Sequence, residues 1–416
     1  MLSLYRILIN LTLLVSPIII IFRILKKKEH PKRFLEKFGF FNKKKKPGKL
    51  IWFHGSSVGE ILSVMPLIEN LERKKNIKQI LLTSNTLSSS KVFNNFKLKK
   101  TNHQFFPIDS NFITKKFLNY WQPSLAVFIE SEIWPNMINN LKNKNTNVVL
   151  LNARITKKSY MRWKKISFFS RSIFEKFNIC LPQNDETKHY LKKLGAKKIK
   201  KLGNLKFSET TLKTLDKINK STKNFLNKKK ILFGAISTHS SEETFCAKIH
   251  SKLKKKYPNG ITIIIPRHIH RTATIKEEIE NSGLKVHLHN SNVKKIDINT
   301  DIYLVNVFGE TKSFLKICKI VFLGGSLIQH GGQNPLEAAR LGCKVIHGPN
   351  ISNFMEVYNL LKKNNISSQI NNLNNAKAII NKNLNNKYNY KKITKRLNSI
   401  GNEVLIKNKK EISKYI

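Results

Sequence analysis

Acid is scarce in this chain. Its 416 residues carry 25 Asp and Glu against 77 Lys and Arg, a formal net charge of +52. Two readings of that excess stand side by side. One is attraction to a polyanion, either nucleic acid or an anionic membrane face bearing phosphorylated lipid. The other is a coding bias toward A and T, because lysine and asparagine are abundant throughout. Lysine supplies most of the charge, whereas arginine is the residue favoured for bidentate phosphate recognition. With no nucleic-acid-binding motif in the chain, nucleic acid is not an expected partner.

Cysteine is nearly as rare. Cys180, Cys246, Cys318 and Cys343 are far apart, with no CxxC and no His/Cys cluster. That excludes a disulfide framework and a cysteine-rich metal site, and leaves buried thiols in a reducing compartment. Alanine does not occur before Ala126, so no small-residue cleavage site closes the first apolar run. A cleaved signal peptide is therefore not expected.

That first run is what the chain does have. Residues 7–22 contain no charge, and Arg23, Lys26, Lys27 and Lys28 follow at once. As a helix the run spans about 24 Å, slightly short of the ~30 Å hydrocarbon core of a bilayer. It reads as an uncleaved anchor that spans or dips into the membrane, kinked at Pro17, with the basic cluster keeping the remaining chain cytoplasmic. A buried core helix is the alternative.

With 40% hydrophobic residues, the length suits two α/β domains of ordinary size plus an appendage. Strands are expected at 50–54, 80–84, 103–107, 125–130, 148–151 and 179–182, with helices between them. A polar stretch, 209–227, carries no strand signal. The pattern then restarts with strands at 231–235, 260–266, 286–289, 302–305, 320–323 and 344–347. The expected organisation is an anchor with its basic flank (1–35), a first lobe (36–207), a linker (208–228), a second lobe (229–385) and a helical tail (386–416). Two doubly wound lobes facing each other across a cleft would hold an acceptor on one side and a nucleotide donor on the other.

Chemistry is expected where strands hand over to helices. His54-Gly55-Ser56-Ser57-Val58-Gly59-Glu60 follows the first strand. Ser57 and Glu60 have the spacing of a capping box, a purely structural use. The other use is a Glu60 carboxylate at the strand end, able to take the proton of an attacking hydroxyl. Glu130 and Glu132 directly follow the fourth strand, and Glu132 also suits the first turn of the next helix. Lys206 lies in Gly203-Asn204-Leu205-Lys206-Phe207 at the lobe boundary; a single lysine in so basic a chain is weak evidence. In the second lobe, Pro266 and Arg267 end a strand, where the guanidinium could meet a phosphate. Phe308-Gly309-Glu310 forms a short turn that could show backbone N–H groups to a base or ribose. Asn334, Pro335, Leu336 and Glu337 start a helix well for structural reasons alone, and Gly331 and Gly332 before them expose its N-terminus to an anion. No Asp-x-Asp pair occurs anywhere in the chain. Metal-dependent single-lobe glycosyltransferases hold their nucleotide through such a pair, so donor binding by backbone, helix ends and cations is expected, with no metal.

Together these segments, with Asn152-Ala153-Arg154, Ser237-Thr238-His239 and Gly324-Gly325-Ser326, resemble the Kdo transferases of Gram-negative bacteria. Those enzymes move 3-deoxy-D-manno-octulosonic acid (Kdo) from CMP-Kdo to a lipid A precursor. The resemblance covers nearly the whole chain and implies a GT-B fold, an inverting mechanism, CMP-Kdo as donor and lipid IVA as acceptor. It implies Glu60 as general base, with Glu130 and Lys206 steadying the transition state. Pro266, Arg267, Phe308, Gly309, Glu310 and Asn334 to Glu337 would line the CMP site. It also implies contact with inner-membrane lipids at the cytoplasmic face. Two departures stand out: residues 83–90 blur the family's Thr-Pro-Thr-Gly-Ser segment, and Gln333 replaces a common histidine. The alternatives are a GT-B enzyme using a UDP- or GDP-sugar, and a non-enzymatic polyanion-binding membrane protein.

Overall fold

The structure is a computed structural model that describes residues 1–209, 218–289, 296–386 and 390–416. Of the expected linker, residues 210–217 lie outside the described ones. The chain divides into two compact units, Met1–Thr210 with Ile400–Ile416, and Thr211–Ser399.

The first unit is built on six parallel strands: β1 (Leu50–His54), β2 (Gln79–Ser84), β3 (Thr101–Phe105), β4 (Leu125–Ile129), β5 (Asn147–Ala153) and β6 (Ile179–Pro182). Their order is β3-β2-β1-β4-β5-β6. Parallel sheets are covered on both faces, so their strands read as unbroken apolar runs. In β1, Trp52 packs with Phe117 and Phe128 on one side. Ile51 and Phe53 pack with Ile61, Val64 and Leu67 on the other. The last three belong to helix α2 (Val58–Glu72), which follows helix α1 (Leu2–Leu25) in the chain. Val404 and Ile412, from the end of the chain, complete that second layer.

The order of this sheet reverses between β1 and β4. Loops leaving neighbouring strand ends diverge at such a switch point, and the gap between them is where open α/β sheets take their ligands. His54 ends β1, and Glu130 directly follows β4.

The second unit carries seven parallel strands, β7 (Lys230–Thr238), β8 (Gly260–Pro266), β9 (Val286–Leu288), β10 (Ile302–Leu304), β11 (Ile320–Leu323), β12 (Lys344–His347) and β13 (Ser367–Gln369). Their order is β13-β12-β11-β7-β8-β10-β9, so the reversal lies between β7 and β11. The expected pair of doubly wound lobes is met. All twelve expected strands form, with ends shifted by at most three residues. The thirteenth, β13, has no apolar run to announce it; pairing with β12 at the sheet edge creates it.

Helix α1 is long and apolar enough to cross a membrane. Its start is tied to the first unit: the Tyr5 hydroxyl donates to Asp109 (2.8 Å) and Arg6 Nε to Asn136 (3.0 Å). Most of its exposed residues are apolar, Leu14 at 76% and Ile18 at 70% exposure among them.

Candidate active site

Glu60 is the third residue of α2, and the local capping geometry forms. Ser57 Oγ accepts the Glu60 N–H (3.2 Å). The carboxylate accepts the Ser57 hydroxyl (2.9 Å) on one oxygen and the Ser56 N–H (2.7 Å) on the other. Those donors and a helix N-terminus favour the ionised form. They lose. Burial comes first, then the charges of Glu132 and Glu130, and together they push the Glu60 carboxyl up to about 7. Capping and proton affinity are thus two properties of one side chain. Gly55 is needed here, since a Cβ would sit 3.1 Å from Glu60 Cβ and 3.0 Å from Ile129 Cδ1.

Glu130 is buried and adopts the left-handed conformation (φ 55°). For a residue with a Cβ that costs about 1–3 kcal/mol. The backbone is pinned in this shape from β5 and beyond it: Glu130 N–H donates to Leu151 O (3.0 Å), and Glu130 O accepts the Arg154 N–H (3.2 Å). Its carboxylate is 2.7 Å from Lys206 Nζ. Lys206 rides on the 3-10 turn Leu205–Ser208. Asn204 Oδ1 accepts the Lys206 N–H (2.9 Å), and Asn152 Oδ1 accepts the Leu205 N–H (3.0 Å). Asn152, left-handed at φ 52°, sits where β5 bulges against β6.

Glu132, which the sequence equally offers as a helix starter, joins the cluster. Its Oε2 is 2.9 Å from His54 Nε2 and from Trp134 Nε1. Burial works to raise its carboxyl, yet hydrogen bonds from His54, Ser56 and Trp134 and the His54 charge bring it below the usual range. Glu60, Glu130, Glu132, Lys206 and His54 therefore share one strand-end neighbourhood. Glu132 was expected as a strand-end carboxylate or a helix starter and His54 only as the first residue of its motif; their pairing spans 78 positions, which no local pattern reveals.

The second unit gathers the other expected residues into two groups. Arg267 follows β8, donates its N–H to Thr238 O (2.9 Å) and leaves its side chain exposed. Beside it the rings of His268, His239 and His330 succeed one another at 5.8 and 4.4 Å. Gln333 Nε2 reaches His239 at 3.4 Å. In the second group, Phe308 is 75% exposed and Gly309 is left-handed (φ 83°). Glu310 lies 3.2 Å from His289, and Glu337 lies 3.2 Å from Lys312, two residues beyond Glu310. Pro266, Pro335 and Leu336 are buried. The expected N-cap at Asn334 with proline at N1 does not form: Pro335 is the N-cap of the helix Leu336–Arg340, and Asn334 Oδ1 accepts the Leu336 N–H (3.1 Å).

The Gly324-Gly325-Ser326 turn is already filled. The buried carboxylate of Glu242 accepts the N–H groups of Gly325 (2.7 Å), Ser326 (3.0 Å), Leu327 (3.0 Å) and His239 (2.9 Å). The chain supplies its own anion to that cradle. Gly324 is obligatory because a Cβ would fall 2.3 Å from Ser237 O. Among the described residues, no three His, Cys, Asp or Glu side chains converge to hold a metal ion.

Residues 32–209 match the family described as 3-Deoxy-D-manno-octulosonic-acid transferase (kdotransferase). The 3-deoxy-D-manno-octulosonic acid transferase of Rickettsia bellii is 36% identical over 353 residues, covering 85% of this chain and 83% of that protein. The transferase of the same name from Haemophilus influenzae is 28% identical, covering 98% and 96%. In architecture, the UDP-GlcNAc 2-epimerase of Neisseria meningitidis superposes with a TM-score of 0.55 at 15% identity, covering 86% of this chain and 100% of that one. A glycosyltransferase from Rickettsia africae does so with a TM-score of 0.55 at 12% identity, covering 89% and 99%. The two sheets and these likenesses give a fold of the GT-B type, and the chain belongs to the 3-deoxy-D-manno-octulosonic acid transferase family.

Proposed function

We propose that this protein transfers Kdo from CMP-Kdo to lipid IVA with inversion at the anomeric carbon, at the cytoplasmic face of the inner membrane. The observation that carries the reading is Glu60: a buried carboxylate at the end of β1, at the sheet's switch point, with its carboxyl raised to about 7. A base with that affinity is about half ionised near pH 7 and takes a proton readily.

In the proposed step, a sugar hydroxyl of the acceptor attacks the anomeric carbon of Kdo. Its proton passes to a Glu60 oxygen as the new C–O bond forms. The bond from the anomeric carbon to the phosphate oxygen breaks, and its electron pair leaves with CMP. One displacement inverts configuration and uses no enzyme nucleophile. The Glu130–Lys206 pair holds a fixed dipole beside the base and would steady the charge that develops. Pro266, Arg267, Phe308, Gly309, Glu310 and Asn334 to Glu337 would bind the CMP moiety, Arg267 on the phosphate. No divalent ion is proposed. Helix α1 with the cations after it suits an acceptor that carries phosphates in an anionic leaflet.

Membranes containing the protein are to be incubated with CMP-Kdo and lipid IVA, and the product weighed by mass spectrometry. A Kdo-bearing product, lost in Glu60→Gln while thermal unfolding is kept, supports the reading. Equal turnover in that variant, or protection from unfolding by UDP or GDP instead of CMP, sinks it.

A further inference from the structure

Glu132 takes no part in the step just described, yet it is held with unusual thoroughness. Behind it runs a buried chain of polar groups through β1 and β2. Trp52 Nε1 lies 2.9 Å from Thr83 Oγ1, and Thr83 Oγ1 lies 3.0 Å from His54 Nδ1. His54 Nε2 in turn lies 2.9 Å from Glu132. An indole N–H can only donate, so Thr83 Oγ accepts it, and His54 Nδ1 meets both Thr83 Oγ1 (3.0 Å) and Thr83 O (3.3 Å). An ionised carboxylate can only accept, so His54 Nε2 donates to Glu132. Phe106 fixes the ring by stacking on it at 3.7 Å. Trp134 Nε1 supplies a second donor at 2.9 Å. Asn85 Nδ2 donates to Ser56 Oγ (2.6 Å), which frees the Ser56 hydroxyl hydrogen for Glu132.

The same Ser56 donates its N–H to Glu60. One residue therefore ties the base to the second carboxylate. The charged and titratable groups meeting Glu60 are Glu132 and Glu130 from the turn after β4, with His54 standing behind Glu132 on β1. Lys206 reaches the cluster through Glu130, whose charge it balances at 2.7 Å. Glu132, satisfied by the His54 imidazole, an indole and a hydroxyl, keeps its negative charge. A like charge close by disfavours ionisation of its neighbour.

We propose that Glu132, locked as an anion by the Trp52–Thr83–His54 chain and by Trp134, is a positioning residue that makes Glu60 an effective base. This rests on Glu60 being the base, and the test separates the two. kcat/KM is measured against pH in membranes with CMP-Kdo and lipid IVA for the wild type, Glu60→Gln, Glu132→Gln and Glu132→Asp. Neutralising Glu132 moves the acid limb to lower pH by about half a unit or more and lowers the plateau about three- to tenfold, because a weaker base accepts less readily. Glu132→Asp keeps the charge, so its limb stays in place even where its plateau falls. A merely structural role would lower both plateaus and move neither limb. Should Glu132→Gln fail to fold, Glu132→Ala removes the same charge and shifts the limb the same way. An acid limb unmoved in the variant that folds, with Glu60→Gln inactive, overturns this inference alone. A fully active Glu60→Gln overturns the base assignment beneath it.

Discussion

Lys206 Nζ and a carboxylate oxygen of Glu130 stand 2.7 Å apart, joined across 76 positions of sequence. Neither residue is placed by its own pattern. Glu130 is turned into the site by a left-handed backbone, and Lys206 by a 3-10 turn whose two amide hydrogens go to Asn204 and Asn152.

Breaking that pair leaves a buried carboxylate uncompensated. Lys206→Met is expected to destabilise the first unit by about 2–4 kcal/mol, toward the lower end because the lysine is partly exposed, and to reduce turnover at least 100-fold. Adding Glu130→Gln restores part of the stability and none of the activity. Thermal unfolding of the single and double variants, read as a double-mutant cycle, checks both halves.

Glu60 links activity and stability to pH in opposite directions. Its folded-state carboxyl stands at about 7, above the value of an unfolded chain. Turnover, which needs the ionised base, falls as pH drops below about 7. The sign for stability is reversed: a raised acid stabilises fully below the unfolded value, and that contribution is lost as pH rises through about 7. Glu60→Gln should therefore unfold at a temperature a few degrees higher than the wild type at pH 8, with the gap closing by pH 4. An unchanged melting temperature at pH 8 would show that the carboxylate is not strained by burial.

Glu242 is the second unit's internal anion. Charge-assisted hydrogen bonds are each worth about 1.5–3 kcal/mol, and this carboxylate accepts four backbone amides. Glu242→Ala should destabilise the unit by more than about 3 kcal/mol and abolish protection by CMP. Glu242→Gln, with one acceptor oxygen left, should fall between. Calorimetry with and without the nucleotide measures both effects.

The outer face of α1 predicts a separable loss. Leu14 and Ile18 are exposed, so Leu14→Glu with Ile18→Glu should leave the unfolding transition within about 0.5 kcal/mol of the wild type. Flotation with vesicles of anionic phospholipid should drop sharply. A variant that still floats would place membrane contact elsewhere on the protein.

The strand ladder was legible in the sequence because parallel strands covered on both faces are largely apolar along their length, as Leu125–Ile129 and Ile320–Leu323 are. The Ser57–Glu60 capping pair was legible too, being local to one helical turn. So was the apolar run of α1. What the sequence could not decide is how carboxylates from different strands meet. His54 finds Glu132 only because β1 and β4 are neighbours in the sheet, and Glu242 finds Gly325 only because β7 pairs with β11. Glu60 illustrates the division: its place in the helix is local chemistry, while its proton affinity comes from burial and from two charges some 70 residues away, which exist beside it only in the folded chain.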